Sequence, residues 1–261
     1  MIGTFANVSK EGSIQIIKVD HPPANTLSSA CIDNLRSIFQ ELAEDEETRA
    51  IILTGSGRFF VAGADIKEFV SAFGHQEKAL KMAEAGQAIC DEIEAMKKPV
   101  IAAINGPALG GGLELALSCH YRIASNQAVL GLPELKLGLL PTFGGTQRLS
   151  RITNPATALN LILTSKQLNP DEALQLGIIQ MVTDSEELLP VAKTIAQSFI
   201  DGKSMTSVSR TIECVIQGTK ENLQSGLERE RTRFAELFLT EDAKEGVQAF
   251  IEKREPQFKH S

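Results

Sequence analysis

The sequence contains no tryptophan and only one tyrosine, and aromatic residues make up 5% of its 261 residues. Little aromatic surface is therefore available for stacking nucleic-acid bases. Asp and Glu number 33 against 26 Lys and Arg, a formal net charge of −7, whereas proteins that bind nucleic acid over a broad surface normally carry the opposite sign. The composition argues against a nucleic-acid partner and leaves room for a small basic pocket that holds one phosphorylated ligand.

Long apolar runs and paired cysteines are also lacking. No stretch approaches the ~18 consecutive apolar residues of a membrane span, and Met1 to Lys10 has no basic segment followed by an apolar one, so neither a membrane partner nor a signal peptide is predicted. The cysteines are isolated, without a Cys-x-x-Cys pair or a histidine at ligand spacing: Cys31, Cys90, Cys119 and Cys214. Disulfides and zinc are disfavoured, no metal site is predicted, and the scattered thiols fit a reducing cytoplasm.

Common catalytic and nucleotide-binding signatures are missing. Gly110-Gly111-Gly112 does not open a dinucleotide-binding G-x-G-x-x-G, because Leu115 stands where the last glycine is needed. There is no G-x-x-x-x-G-K-[ST] phosphate loop and no G-x-S-x-G serine-hydrolase motif. The four histidines lie far apart, and His120, at the end of an apolar segment, is interpreted as structural. The chemistry is therefore expected to come from carboxylates and backbone groups.

Strand and helix patterns alternate through the first part of the chain. Strands are predicted at residues 13–20, 50–53, 100–104 and 178–182, and helices at 28–43, 77–98 and after the Asn-Pro pairs at 154 and 169. Four amphipathic helices then follow without a strand between them: 185–200, 204–217, 221–239 and 242–254. The hydrophobic (43%) and charged (23%) fractions are ordinary for a globular protein. The sequence predicts an α/β body, residues 1–184, with a helical C-terminal region, residues 185–261, in one continuous domain.

A glycine-rich loop between a buried strand and an apolar helix is the most informative segment. In residues 106–117, G-P-A-L-G-G-G-L-E-L-A-L, backbone N–H groups at the helix N-terminus lack intrahelical acceptors and favour an anion or a developing oxyanion. A closely packed turn is the alternative. Glu114 favours the functional interpretation, because an ionised carboxylate among apolar residues must be paired, protonated or beside water in a cavity. A first-turn glutamate that complements the helix dipole is the alternative for this residue.

Two further loops offer polar groups. Residues 59–67, F-F-V-A-G-A-D-I-K, follow the strand at 50–53, and Ala62-Gly63-Ala64 presents backbone donors with almost no side-chain obstruction. Residues 129–134, V-L-G-L-P-E, bring Glu134 twenty positions beyond Glu114. On its own, Glu134 is typical of a solvated turn.

Together these segments resemble the enoyl-CoA hydratase/isomerase family, also called the crotonase superfamily. The similarity extends along nearly the whole chain and rests on F-V-A-G-A-D-I-K (60–67), K-K-P-V-I-A-A-I-N-G-P-A-L-G-G-G-L-E-L-A (97–116), L-P-E (132–134), G-G-T-Q-R-L (144–149) and E-D-A-K-E-G-V-Q-A-F-I-E-K-R (241–254). The resemblance implies an α/β fold, a crotonase-like spiral of ββα units with a helical C-terminal trimerisation region. It also implies a homotrimer or homohexamer.

The resemblance implies a thioester enolate stabilised by two backbone N–H groups, those of Ala64 and Gly111. Family members that hydrate a double bond carry two glutamates, which match Glu114 and Glu134. One group must activate water and another must manage the proton delivered to Cα, and two carboxyls in a partly dehydrated pocket can share these tasks. Glu114 is assigned to the water and Glu134 to Cα, although both can hold the same water. The expected reaction converts a trans-2-enoyl-CoA to the (3S)-hydroxyacyl-CoA, in fatty acid or short-chain acyl-CoA degradation.

The resemblance also implies where the acyl-CoA substrate lies. Backbone of residues 62–66 (Ala62, Gly63, Ala64, Asp65 and Ile66), with Gly110, would contact the CoA thioester, and Lys67 and Lys253 would meet its phosphates. For either lysine, an ordinary solvated charge is the alternative. Thr142 stands where hydratases often have glycine, close to the expected water, which affects the shape of the acyl pocket. No cofactor is expected, since the CoA thioester is itself the substrate.

Two other functions stay open at this point. A 3,2-enoyl-CoA isomerase or another acyl-CoA lyase of the same family needs only one base. A non-catalytic acyl-CoA-binding or assembly subunit would be indicated by loss of a glutamate or a blocked glycine loop, and neither is seen.

Overall fold

A six-stranded sheet forms the centre of the computed structural model, which describes residues 5–260. Its strands are β1 (Ala6–Glu11), β2 (Ile14–Val19), β3 (Ala50–Gly55), β4 (Val100–Ile104), β6 (Tyr121–Ser125) and β9 (Met181–Thr183). They lie in that spatial order. The β1–β2 pair is antiparallel, and each later pair is parallel. The sheet thus has the parallel character expected of an α/β body.

A small second sheet lies at the site loops. It consists of β5 (Ala108–Leu109), β7 (Leu130–Gly131) and β8 (Gln167–Leu168). Ala108 pairs with Leu130 and Leu109 with Gly131, and the Gly110 N–H donates to the Gly131 carbonyl at 2.9 Å. This pairing holds the glycine-rich loop beside the L-P-E segment.

Eleven helices are described within residues 5–260. They are α1 (Ser29–Glu44), α2 (Ile66–Phe69), α3 (Gln76–Glu94), α4 (Gly111–Ser118), α5 (Gly145–Ile152), α6 (Pro155–Leu163), α7 (Pro170–Gln175), α8 (Leu188–Ile200), α9 (Met205–Gly218), α10 (Leu223–Leu237) and α11 (Glu241–Glu252). Short 3₁₀ turns occupy Val70–Ala72 and Glu134–Leu137. The predicted helix starts after the Asn-Pro pairs are confirmed, since Asn154 and Asn169 each accept a backbone N–H bond at the cap.

Both faces of the main sheet are buried. Along β3, Ile51 and Leu53 belong to one hydrophobic cluster, with side chains of α1, α3 and α4, while Ile52 belongs to a second cluster, with side chains of α8. Alternate residues of a strand point to opposite faces, and parallel strands are commonly apolar on both. The candidate site lies beside the α3 and α4 face, and α8 covers the opposite face.

Several details differ from the sequence prediction. The helix predicted to reach residue 98 ends at Glu94, and the Lys98 ammonium instead donates to the Leu42 and Asp45 carbonyls at the end of α1. The lysine therefore complements a neighbouring helix terminus rather than its own. Strands β1 and β6 were not predicted, and β9 begins at Met181 rather than at residue 178.

The four C-terminal helices are confirmed with bounds shifted by a few residues. Helix α8 buries Leu188, Ala192, Ala196 and Ile200 against the sheet, whereas α9 and α10 contain no fully buried residue. Large apolar side chains stay exposed on this region, among them Phe234, Phe238, Leu239 and Phe250. The division at residue 184 stays a prediction, and residues 1–4 and 261 of its two ranges lie outside the described residues. Within residues 5–260, no helix is both long and apolar enough to cross a membrane.

Candidate active site

A cavity of about 310 Å³ opens between α2, α3, the glycine-rich loop and the segment before α5. Ten of the twelve residues predicted for the site line it: Ala62, Gly63, Ala64, Asp65, Ile66, Gly110, Gly111, Glu114, Glu134 and Thr142. The structure therefore brings four separate segments of the sequence to one place. Lys67 and Lys253 do not line the cavity. Lys67 is exposed on α2 beside two lining residues, and Lys253 is the exposed residue that ends α11.

The backbone N–H groups of Ala64 and Gly111 lie close together. A Cβ built on Gly111 would lie 3.5 Å from the Ala64 nitrogen. The residues on either side of Ala64 bond to Leu27, which accepts from the Asp65 N–H and donates to the Gly63 carbonyl. The N–H of Ala64 itself donates to no acceptor within residues 5–260. Gly111 is the first residue of α4, where an N–H has no intrahelical acceptor. Two unpaired donors thus border the same cavity.

Glycine is required where the two loops pack. A Cβ on Gly112 would lie 1.9 Å from the Val61 carbonyl oxygen, and Gly110 has a φ of +52°. No side chain fits the first position, and the second is a conformation that side chains rarely adopt. The run of glycines therefore allows the 59–67 loop to lie directly on the start of α4.

Glu114 lies in the first turn of α4 and is 2% exposed. Its Oε1 accepts the N–H of Gly145, the first residue of α5, at 2.7 Å, and it forms no ion pair within residues 5–260. Burial raises the pKa of Glu114 to about 8; the nearby Glu134 also raises it, while the backbone N–H groups of Gly145 and Phe143 and the charge of Arg148 oppose the rise. The prediction of a buried carboxyl is confirmed.

Glu134 is half-buried at the start of a 3₁₀ turn. Its Oε1 is close to Gly110, since a Cβ built there would lie 2.8 Å from this oxygen. Its Oε2 is buried without a hydrogen-bond partner in residues 5–260. Burial raises the pKa of this carboxyl too. Glu134 is therefore not a solvated turn residue, since it lines the cavity and one of its oxygens is buried without a partner in residues 5–260.

The remaining wall is mostly apolar. Side chains of the 66–73 segment, of α3 and of the loop after Glu134 supply it, among them Phe69, Phe73, Met82, Leu137 and Leu140. Several of these side chains are largely exposed, including Phe73 at 68% and Leu140 at 59%. A cavity with apolar walls and a few convergent polar groups is typical of a small-molecule site.

Comparison with known proteins gives the family. A family model described as enoyl-CoA hydratase/isomerase matches residues 9–261. The chain belongs to this family. It is 46% identical over 247 residues to a probable enoyl-CoA hydratase of Bacillus subtilis, covering 94% of this chain and 95% of that protein. It is 39% identical over 253 residues to a crotonyl-CoA hydratase of Syntrophomonas wolfei, covering 96% of each.

Solved structures of the family have the same fold. The crystal structure of an enoyl-CoA hydratase from Bacillus anthracis matches with a TM-score of 0.92 and 36% identity, over 98% of this chain and 100% of that one. The predicted family and the predicted α/β fold of the crotonase type are confirmed. Trimerisation stays a prediction.

Two residues near the site were not predicted for it. The Phe143 ring lines the cavity and packs against Gly86, where an added Cβ would lie only 2.0 Å from the ring. The Arg148 guanidinium donates a hydrogen bond to the Phe143 carbonyl at 3.0 Å. Both belong to the 139–149 segment, part of which (144–149) contributes to the family resemblance, but no local pattern reveals which residues of α3 they contact. The structure also confirms that His120 is structural, since its Nδ1 accepts the Val100 N–H at 3.0 Å.

Proposed function

We propose that this protein is an enoyl-CoA hydratase, which adds water across the double bond of a trans-2-enoyl-CoA to give the (3S)-hydroxyacyl-CoA. The observation that carries the proposal is a buried carboxyl, Glu114, and a half-buried one, Glu134, which line one cavity together with two backbone N–H groups that have no acceptor within residues 5–260. The names of relatives that are 39–46% identical, including a crotonyl-CoA hydratase, support it.

The proposed oxyanion donors are the N–H groups of Ala64 and Gly111. When the water oxygen bonds to Cβ of the enoyl group, the electrons of the double bond move toward the thioester oxygen, and an enolate develops. Two donors already aimed at that oxygen stabilise the developing charge without reorganisation, and removal of one such donor typically costs ~2.7–4 kcal/mol. The lack of any competing acceptor for these N–H groups within residues 5–260 supports this role.

The proposed acid–base pair shares one proton. Both pKa values are raised, that of Glu114 to about 8, so the pair passes through a singly protonated state near neutral pH. In the reactive tautomer the shared proton has moved from Glu114 to Glu134. Ionised Glu114 then takes a proton from the attacking water, and protonated Glu134 gives its proton to Cα. The substrate thereby gains one water, and the pair ends with one proton, as it began.

The CoA thioester is proposed to lie along the backbone of residues 62–66 and Gly110. Lys67 follows this segment on α2, where its exposed ammonium can reach a phosphate outside the cavity. Lys253 would serve from the end of α11, either in the same chain or in a neighbouring copy. Thr142 would shape the acyl side of the cavity, where its carbonyl is held by the Gln87 side chain at 2.9 Å.

The test is the loss of the conjugated enoyl-thioester absorbance when the protein is mixed with crotonyl-CoA. Glu114→Gln and Glu134→Gln should each reduce kcat by 100-fold or more, on the order expected for loss of a general acid or base. Both variants should bind the CoA ester with nearly unchanged affinity. A 3-enoyl-CoA assayed in parallel tests the isomerase alternative. Full activity in both variants would contradict the assigned roles, and binding without turnover of either substrate would favour a non-catalytic acyl-CoA-binding subunit.

The wider setting is also part of the proposal. The apolar cavity suits the acyl chains of intermediates in fatty acid or short-chain acyl-CoA degradation. The four free cysteines are consistent with a reducing cytoplasm. A homotrimer or homohexamer would cover the exposed apolar side chains of α10 and α11. Light scattering of the purified protein distinguishes these assemblies from a monomer.

A further inference from the structure

Arg148 lies in the first turns of α5, the helix whose first residue, Gly145, bonds to Glu114. Its side chain is only 11% exposed. Its guanidinium donates to the Phe143 carbonyl at 3.0 Å, to Asp91 at 2.6 Å and to Glu94 at 3.2 and 3.3 Å. The two carboxylates belong to α3, on the far side of the 142–145 loop. One planar group thus joins α3, α5 and the loop between Thr142 and Gly145.

The loop held by Arg148 carries the hydrogen bond to Glu114. The Gly145 N–H at its end donates to Glu114 Oε1 at 2.7 Å. Gly144 has a φ of +108°, and a Cβ there would lie 2.1 Å from Nη1 of Arg148, so the guanidinium packs directly on the loop backbone. The Gln87 amide fixes the other end through the Thr142 carbonyl. If the guanidinium is removed, the Phe143–Gly145 backbone loses its central anchor.

Arg148 acts on Glu114 without forming an ion pair with it. The guanidinium is bonded to Asp91 and Glu94, and its charge reaches Glu114 only across the loop, where it opposes the rise in the pKa of that carboxyl. Glu134, on the cavity side, acts in the opposite direction. The charged and titratable groups around Arg148 also include the buried Cys90 thiol and Lys220, whose ammonium bonds to Glu94 at 2.6 Å. Arg148 can therefore affect Glu114 in two ways: through the position of the Gly145 N–H and through its own positive charge.

We propose that Arg148 is a positioning residue for the acid–base pair: by bonding the Phe143 carbonyl and two carboxylates of α3, it holds the Gly145 N–H in place against Glu114. The inference rests on the proposed hydratase function for its kinetic consequence. Its structural consequence, the titration of Glu114, is independent of the reaction.

The experiment compares Arg148→Met and Arg148→Lys with Arg151→Met. Arg151 lies on the same helix, is exposed, and within residues 5–260 bonds only to Gln147, so its replacement removes the same charge without touching the loop. The ionisation of Glu114 is followed by infrared titration of its carboxyl band, which is assigned with Glu114→Gln. Initial rates with crotonyl-CoA are measured as a function of pH on the same samples.

For Arg148→Met we expect kcat to fall about 10- to 100-fold, the usual effect of a misplaced catalytic group, with KM changed less than about threefold. The Glu114 titration and the alkaline limb of the rate profile should both move to higher pH by about one unit. Arg148→Lys keeps the charge but cannot bond to three partners in one plane. It should therefore lose part of kcat while its titration stays near that of the wild type. Arg151→Met should match the wild type in both measurements.

A loss of kcat without any movement of the Glu114 titration in Arg148→Met would reduce Arg148 to a structural residue and overturn the proposal. Wild-type kcat in that variant would overturn it as well. If Arg148→Met does not fold, Arg148→Lys decides, and wild-type kcat there refutes the positioning role. Absence of hydratase activity in the wild type would instead refute the proposed function, while the infrared comparison would still decide the role of Arg148.

Discussion

The burial of Glu114 should make the stability of the protein depend on pH in a predictable direction. The folded state raises the pKa of this carboxyl from 4.5 to about 8, so between these values the folded chain binds a proton that the unfolded chain has released. The stabilisation that comes from protonated Glu114 is therefore complete below pH 4.5 and is lost as the pH rises through about 8. The full loss corresponds to about 5 kcal/mol.

Glu114→Gln removes this dependence and preserves the shape of the site, because a glutamine oxygen can still accept the Gly145 N–H. We expect the free energy of unfolding of the variant, relative to that of the wild type, to increase by about 3 kcal/mol between pH 5.5 and pH 9. Urea unfolding at several pH values measures it. Circular dichroism is the suitable signal, since the chain has no tryptophan.

Glu77→Gln is the matched control, because the Glu77 side chain is 81% exposed on α3 and its removal changes the net charge equally. Its stability relative to the wild type should change little over the same range. Parallel pH dependences for Glu114→Gln and the wild type would refute the reasoning, since they would mean that the folded state does not hold the proton on Glu114.

Three further outcomes follow from the geometry. The hydratase rate should decline above about pH 8, where the carboxyl pair loses its last proton, and initial rates with crotonyl-CoA measure this decline. Gly112→Ala should lower the free energy of unfolding by about 1–3 kcal/mol, because its Cβ would lie 1.9 Å from the Val61 oxygen, whereas Gly218→Ala, with nothing within 4 Å, should not. Lys67→Ala should raise KM for the CoA ester and weaken its salt dependence, with kcat unchanged, if Lys67 meets a phosphate.

Local sequence patterns predicted those parts of the site that depend on local backbone conformation. The glycines at 110–112 and the apolar residues around Glu114 sufficed to predict exposed N–H groups and a buried carboxyl, because helix-terminus geometry and burial are both evident within a few residues. Glu134 was less accessible to such reasoning. Its burial depends on the pairing of β5 with β7, which joins segments about twenty residues apart in sequence.

Elements with unusual side chains escaped prediction. Strand β1 has one buried residue followed by five exposed ones, so it lacks the alternation by which a half-buried strand is recognised. Strand β6 contains Arg122, a buried charge that does not fit a core strand. Its guanidinium is satisfied by the carbonyls of Leu117, Cys119 and Ile178, which lie in neighbouring segments.

Burial keeps Glu114 near its neutral form even though Arg148 lies across the adjoining loop and opposes the rise in its pKa. A guanidinium bonded directly to Glu114 would favour the carboxylate and hold its pKa below the ordinary value, which would abolish the singly protonated pair that the proposed hydration needs. Asp91 and Glu94 prevent this, because they bond the two donor edges of Arg148 that do not face Phe143. Glu94→Gln removes one of these negative charges, so the positive charge of Arg148 should be less compensated near Glu114. The apparent pKa of Glu114, as read by infrared titration, should therefore fall. An upward movement would show that the α3 carboxylates act on the loop geometry rather than on the charge of the guanidinium.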